Sequence, residues 1–184
     1  MPANIKLADT EVSLVNAISR ERVFMEWLAC VRESYQYVLI DCPPSLGMLN
    51  INALTASNSV IIPVEAQYLP LPGMEALIKS VNRTKRQLNP ELKIDGVLLT
   101  KVDKRTNLAS HSETKIRENY GAYLKVFASK IPICVKAAEA PAFGESIHLY
   151  GKKTTAAQAY SSFAKEVLRL AEKQRDTLQL SSTR

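Results

Sequence analysis

The sequence predicts an α/β fold: a doubly wound, mostly parallel sheet flanked by helices. Apolar runs of strand length recur along the chain at Tyr37-Val38-Leu39-Ile40, Ser59-Val60-Ile61-Ile62-Pro63-Val64 and Ile94-Asp95-Gly96-Val97-Leu98-Leu99-Thr100. Runs this apolar suit strands buried on both faces, as in a parallel sheet covered by helices. Between them lie segments with apolar residues at helical spacing, the alternation expected of βαβ units. A length of 184 residues is expected to make one domain over 1–184 with a single sizeable core.

In chain order, Met1 to Leu7 reads as a short extended piece, followed by an amphipathic turn with Val12, Leu14 and Val15 as its apolar members. Ser19 is the expected N-cap of a helix carrying Val23, Phe24, Trp27, Leu28 and Val31, with Trp27 packed in the core. Tyr37 to Ile40 is the expected central strand, and it delivers Asp41 to the sheet's carboxyl edge, where open α/β sheets bind ligands. Pro43 and Pro44 cannot continue a ladder and lead the chain away. A carboxylate so placed suits a hydrated Mg²⁺ carrying nucleotide phosphates, the Walker B arrangement. The plainer reading is a strand that ends in a turn-forming Asp.

A short helix is expected around Leu49 to Ala56, then the strand from Ser59 to Val64. Pro70, Pro72 and Gly73 mark the entry to a long helix with Met74, Leu77, Ile78 and Val81 inward and Lys79, Arg83, Lys85 and Arg86 outward. Such a basic run is ordinarily a solvated face. Asn89-Pro90 stops that helix before the strand from Ile94 to Thr100, and a polar helix follows over Asn107 to Tyr120. Val126 to Ile133 supplies a further strand, and Val135 to Lys153 reads as irregular. A last helix packs through Ala159, Tyr160, Phe163, Val167 and Leu170, and the polar tail 174–184 is expected to fray.

Composition excludes more than it assigns. The net charge of +6 leans toward an anionic partner without demanding one. Cys30, Cys42 and Cys134 are scattered and odd in number, which fits reduced thiols better than a disulfide framework. His111 and His148 have no clustered partners with metal-ligand spacing. No apolar run reaches membrane-spanning length, and the first residues lack the pattern of a signal peptide.

Thr100-Lys101-Val102-Asp103 ends its strand as a base-reading loop would, with a Lys stem along a purine ring and an Asp accepting from its edge. Pro132 opens a loop able to cover the other face. Taken with Ile40-Asp41-Cys42-Pro43-Pro44-Ser45-Leu46-Gly47, Ile51-Asn52-Ala53-Leu54, Ile62-Pro63-Val64, Arg105-Thr106-Asn107-Leu108 and Glu139-Ala140-Pro141, these segments closely resemble the ParA/Soj partition ATPases. The resemblance extends from Met1 to about Leu168 and implies a P-loop NTPase-like fold. It implies ATP and Mg²⁺ as ligands, with Asp41 as the Mg²⁺ and switch residue and Lys101, Asp103 and Pro132 bordering the adenine. It also implies a dimer that binds DNA without sequence preference, through residues matching Arg105 and Lys136, and works with a centromere-binding ParB-like protein. A cytoplasmic, nucleoid-associated location follows from the same resemblance.

Departures matter too. No G-x-x-x-x-G-K-[ST] loop occurs in the 184 residues, and that loop is what cradles phosphates with backbone N–H groups. The sequence therefore looks like the C-terminal two-thirds of such a protein, without its N-terminal P-loop unit, and is expected to be inactive alone. Ile133 and Cys134 stand where the family commonly has Arg and a polar residue. The alternative is a non-catalytic protein that binds DNA and dimerises, modulating a full-length relative through mixed dimers. A MinD-like membrane helix does not fit the polar tail, and Cys-Pro-Pro after Asp41 argues against a GTPase switch.

Overall fold

A computed structural model describes residues 6–66, 71–103 and 105–182, with the side chains of 10–66, 72–103, 105–106 and 110–173. The chain divides into two compact units, Met1–Val60 with Pro72–Lys93, and Ile61–Leu71 with Ile94–Arg184.

The first unit is built on α3 (Met48–Ala56). Helices α1 (Lys6–Leu14) and α2 (Val23–Ala29) both pack against it. Asparagine side chains tie this unit together. The Asn52 Nδ2 donates to the carbonyls of Arg20 and Met48 at 2.7 and 3.1 Å, and its Oδ1 accepts from the Phe24 N–H at 3.0 Å. Asn89 Nδ2 reaches the Leu54 and Ser57 carbonyls at 3.0 and 2.7 Å, closing the helix end whose last carbonyls have no partner within the helix. Long helix α4 (Leu71–Gln87) buries Met74 and Val81, half-buries Leu77 and Ile78, and exposes Lys79, Arg83, Lys85 and Arg86, as its periodicity predicts.

The second unit holds nearly all of the sheet. Strands β1 (Ser59–Glu65), β2 (Lys93–Val102) and β3 (Val126–Pro132) lie in the order β1-β2-β3. β2 and β3 are parallel, with Val97 beside Val126 and Val102 beside Pro132. β1 runs the same way: Lys93 N–H donates to Asn58 O near one end, and Ala66 N–H to Thr100 O near the other. The crossovers are α4 and α5 (Asn107–Tyr120), the latter with the bounds the sequence predicts. The core joins Leu98, Phe127 and Ile131 to Ile61 and to Ala159, Phe163, Val167 and Leu170 of α8 (Thr155–Ser182). Phe127 meets Phe163 edge to face at 5.0 Å. Glu166 of α8 accepts the Ala128 and Ser129 N–H groups at 3.1 Å each, satisfying donors where the β2–β3 register slips. Gly96 has φ +152°, and a Cβ there would stand 2.7 Å from the Lys125 carbonyl oxygen, so only glycine fits this close approach.

Several expectations are corrected. Tyr37 to Ile40 is no strand: the segment joins none of β1 to β3, and Leu39 is 93% exposed. An apolar run becomes a buried strand only when neighbouring strands take up its backbone groups. Ser19 does not cap α2. It takes φ +52° in a turn closed by Arg22 N–H, and the helix starts at Val23 after Arg22. Trp27 is 45% exposed and stacks on Phe24, one turn back along α2, while Leu28 is the residue that helix buries. Of the three apolar residues around α1 only Leu14 is buried, and Val12 and Val15 face out. The helix begins at Lys6, and the rest of the expected extended piece, 1–5, lies outside the described residues, as does Pro70. The stretch 135–153 is not irregular: it forms α6 (Val135–Glu139), a 3₁₀ turn (Ala140–Phe143) and α7 (Ile147–Tyr150). Gly144, at φ +65°, ends the 3₁₀ turn and donates its N–H to Pro141 O. Tyr160 lies on the outer side of α8, whose helix runs to Ser182.

Candidate functional site

Of the residues singled out above, Asp41 lies in the first unit and the others in the second. Asp41 is exposed on the loop that follows the 37–40 segment, and no hydrogen bond or ion pair engages its carboxylate among the described residues. The loop itself is held from both sides. Asn50 Nδ2 donates to the Pro43 carbonyl at 3.1 Å and to the Ser45 carbonyl. Glu11 Oε1 accepts the Met48 N–H at 2.8 Å, capping the N-terminus of α3 with a carboxylate. Gly47 leaves the room for this contact, since a Cβ there would fall 1.8 Å from that same oxygen. Sequence reading missed both Glu11 and Asn50. They lie 30 residues upstream and 9 downstream of Asp41 by sequence number, and only the fold brings them to the loop.

In the second unit the sheet gathers Lys101, Asp103 and Pro132 at the carboxyl ends of two adjacent strands. Pro132 sits opposite Val102, and Ile133 donates its N–H to Val102 O at 3.2 Å. Lys101 adopts φ +50°, a strained value for a residue with a Cβ, and its Nζ pairs with Glu65 Oε1 at 2.5 Å. Glu65 closes the neighbouring strand, so its position at the end of β1 was the signal for this pairing. Asp103 is fully engaged. Its Oδ1 accepts from the Arg105 backbone N–H and Nε, both at 3.0 Å, and its Oδ2 accepts from Nη2 at 2.9 Å. These hydrogen bonds, the side-chain ones foremost, hold the Asp103 carboxyl down at about 2. The same contacts push Arg105 up. Arg105 nonetheless projects into solvent, its side chain 87% exposed.

Lys136 is exposed in the first turn of α6, close behind β3. Among the described residues no cluster of three His, Cys, Asp or Glu could hold a metal, and no helix is long and apolar enough to cross a membrane. Lys79, Asn82, Lys85 and Arg86 of α4, with Pro90 beyond its end, line an open concavity of about 570 Å³.

Comparisons with known proteins bear on the family and the fold. A family model described as an AAA domain matches residues 1–94. The sporulation initiation inhibitor protein Soj of Bacillus subtilis is 44% identical over 167 residues, which is 91% of this chain and 65% of Soj. The chromosome partitioning protein ParA of Caulobacter vibrioides is 37% identical over 170 residues, 91% of this chain and 63% of ParA. The chain thus spans less than two thirds of the length of these curated relatives. Among solved structures, cobyrinic acid a,c-diamide synthase from Mycobacterium smegmatis, with bound ADP and magnesium, superposes with a TM-score of 0.79 at 32% identity, covering 93% of this chain and 62% of that one. McdA from Cyanothece, at a TM-score of 0.71 and 18% identity over 83% of this chain and 61% of its own, shares the fold. The architecture is that of the P-loop NTPases, and the chain belongs to the ParA/Soj family of AAA-domain proteins.

Proposed function

We propose that the chain acts in a ParA-like partitioning ATPase that uses ATP and Mg²⁺, binds DNA and dimerises. The observation that carries this reading is the gathering of Lys101, Asp103 and Pro132 at the carboxyl ends of β2 and β3, where parallel α/β sheets take their ligands. The relatives' names and the ADP and magnesium in the cobyrinic acid a,c-diamide synthase structure support it.

The residues fit such ligands in part. Asp41, exposed and unpaired among the described residues, would hold a hydrated Mg²⁺ through water. Lys101 and Pro132 would border the adenine, and Asp103 would accept from its edge after turning away from Arg105. Bound Mg²⁺–ATP supplies a phosphoryl group for transfer to water, a reaction that needs several positioned charges at once. Arg105 and Lys136, both exposed, would contact DNA phosphates without reading sequence. A ParB-like protein and a second copy, or a full-length relative, are the protein partners of this reading, and the nucleoid its place of work.

The alternative reading is a non-catalytic role, as a dimerising or DNA-binding modulator; the 184 residues contain no Gly-rich loop ending in Lys and Ser or Thr of the kind that cradles phosphates. Equilibrium titration with labelled ATP and Mg²⁺ separates the two readings, run beside a chimera carrying a relative's P-loop segment. The expected result is turnover by the chimera alone, abolished by Asp41→Ala. Failure of the chimera to bind ATP contradicts the ATPase reading. Tight ATP binding by the 184 residues alone would show that other groups hold the phosphates and that no such loop is needed.

A further inference from the structure

We propose that Arg105 forms a phosphate-binding site whose place is occupied by the chain's own Asp103, so that this carboxylate competes with the nucleic-acid backbone. The inference rests on the reading of Arg105 as a DNA contact and adds to it how that contact is restrained. Three donors converge on one anion: the Arg105 backbone N–H and Nε on Asp103 Oδ1, both at 3.0 Å, and Nη2 on Oδ2 at 2.9 Å. A guanidinium fork binds carboxylate and phosphate with the same planar, two-bond geometry, so what holds Asp103 is shaped to hold a phosphate oxygen pair.

Exposure points the same way. The Arg105 side chain is 87% open to solvent, within reach of a polyanion, whereas that of Asp103 is only 17% exposed. Among the described residues no cation other than Arg105 pairs with Asp103. While the pair stands, the fork presents little net charge to a phosphate. Lys101, two residues before Asp103, is likewise neutralised by Glu65. The carboxylate stays ionised across the working pH range, and so the competition persists there.

The test compares the full chain with Asp103→Asn, Arg105→Ala and the double variant, using fluorescence anisotropy with a labelled random-sequence duplex at low salt. Removing one negative charge a few ångströms from a bound phosphate is expected to tighten binding about fivefold in Asp103→Asn. Arg105→Ala is expected to weaken binding, and the double variant to match Arg105→Ala alone. Unchanged or weaker binding by Asp103→Asn overturns the inference while leaving the DNA reading intact. Equal tightening in the Arg105→Ala background also overturns it, because the carboxylate would then act as a general charge rather than through the fork. If Arg105→Ala binds DNA as the unaltered chain does, the DNA reading fails, and inorganic phosphate becomes the probe. Phosphate should then shift the Arg105 Nε–H resonance in Asp103→Asn and leave it in place in the unaltered chain. The same response in both chains overturns the site itself.

Discussion

Asp41 and Asp103 both follow an apolar run that reads as a strand, yet they end in opposite circumstances. The run before Asp103 is β2, paired on both sides by β1 and β3, with Val97, Leu98 and Leu99 buried. The run before Asp41 joins no strand, and Leu39 stands in solvent. Asp103 is consequently delivered to a defined sheet edge and chelated by Arg105, while Asp41, unpaired among the described residues, projects from a loop tethered by Glu11 and Asn50. The difference shows that hydrophobic pattern supplies the capacity to form a strand and that neighbouring backbone decides whether it forms.

The largest expected effect compares one residue type in the two runs. Leu99 is 1% exposed, and Leu99→Ala should cost about 2–5 kcal/mol in urea-unfolding free energy. Leu39→Ala should change stability by less than about 0.5 kcal/mol. Comparable losses at both positions would mean that 37–40 is packed after all. Next in size is Gly96→Ala, which forces a Cβ against the Lys125 carbonyl at φ +152°. It should cost about 1–3 kcal/mol and loosen β3 as well, read from amide protection at Val126 and Phe127.

Smaller again is Glu11→Ala, which removes the carboxylate from the Met48 N–H. A loss of about 0.5–2 kcal/mol is expected, with faster exchange of the Met48 amide as its local mark. An unchanged Met48 exchange rate would show that the Asp41 loop is held some other way.

The smallest effect is electrostatic and belongs to Asp103. Its carboxyl is lowered from the ordinary 3.8 to about 2, chiefly by the Arg105 hydrogen bonds. A depressed acid stabilises the fold fully above its unfolded value, and that contribution is lost as pH falls from 3.8 through about 2. Asp103→Asn should therefore flatten the stability profile in that window and nowhere above it. A carbon-detected titration of the Asp103 carboxyl giving an ordinary midpoint would show that Arg105 does not hold it in solution.

Much of the second unit was legible in the sequence. Strands β1 and β2 and the polar helix 107–120 have clear local signals, and β3 forms although Ser129 and Lys130 interrupt its apolar run. Lys101, Asp103 and Pro132 lie at the carboxyl ends of β2 and β3. Arg105 as a partner for Asp103 follows from two opposite charges two residues apart. What was not legible depends on distant chain. Pairing of 37–40 requires a neighbour that no local pattern reveals. Trp27 looks like core by its size and spacing, but its exposure is set by which face of α2 meets α3. In 135–153 small residues and single turns leave too short a period to read, so three brief helical turns passed for irregular chain.

Amide hydrogen exchange of Val38, Leu39 and Ile40 beside Val97, Leu98 and Leu99 in the same sample tests the contrast between the two runs most directly. Exchange near the unprotected rate is predicted for the first three and slow exchange for the second three. Equal, strong protection in both runs would place Asp41 at the end of a paired strand and contradict that contrast.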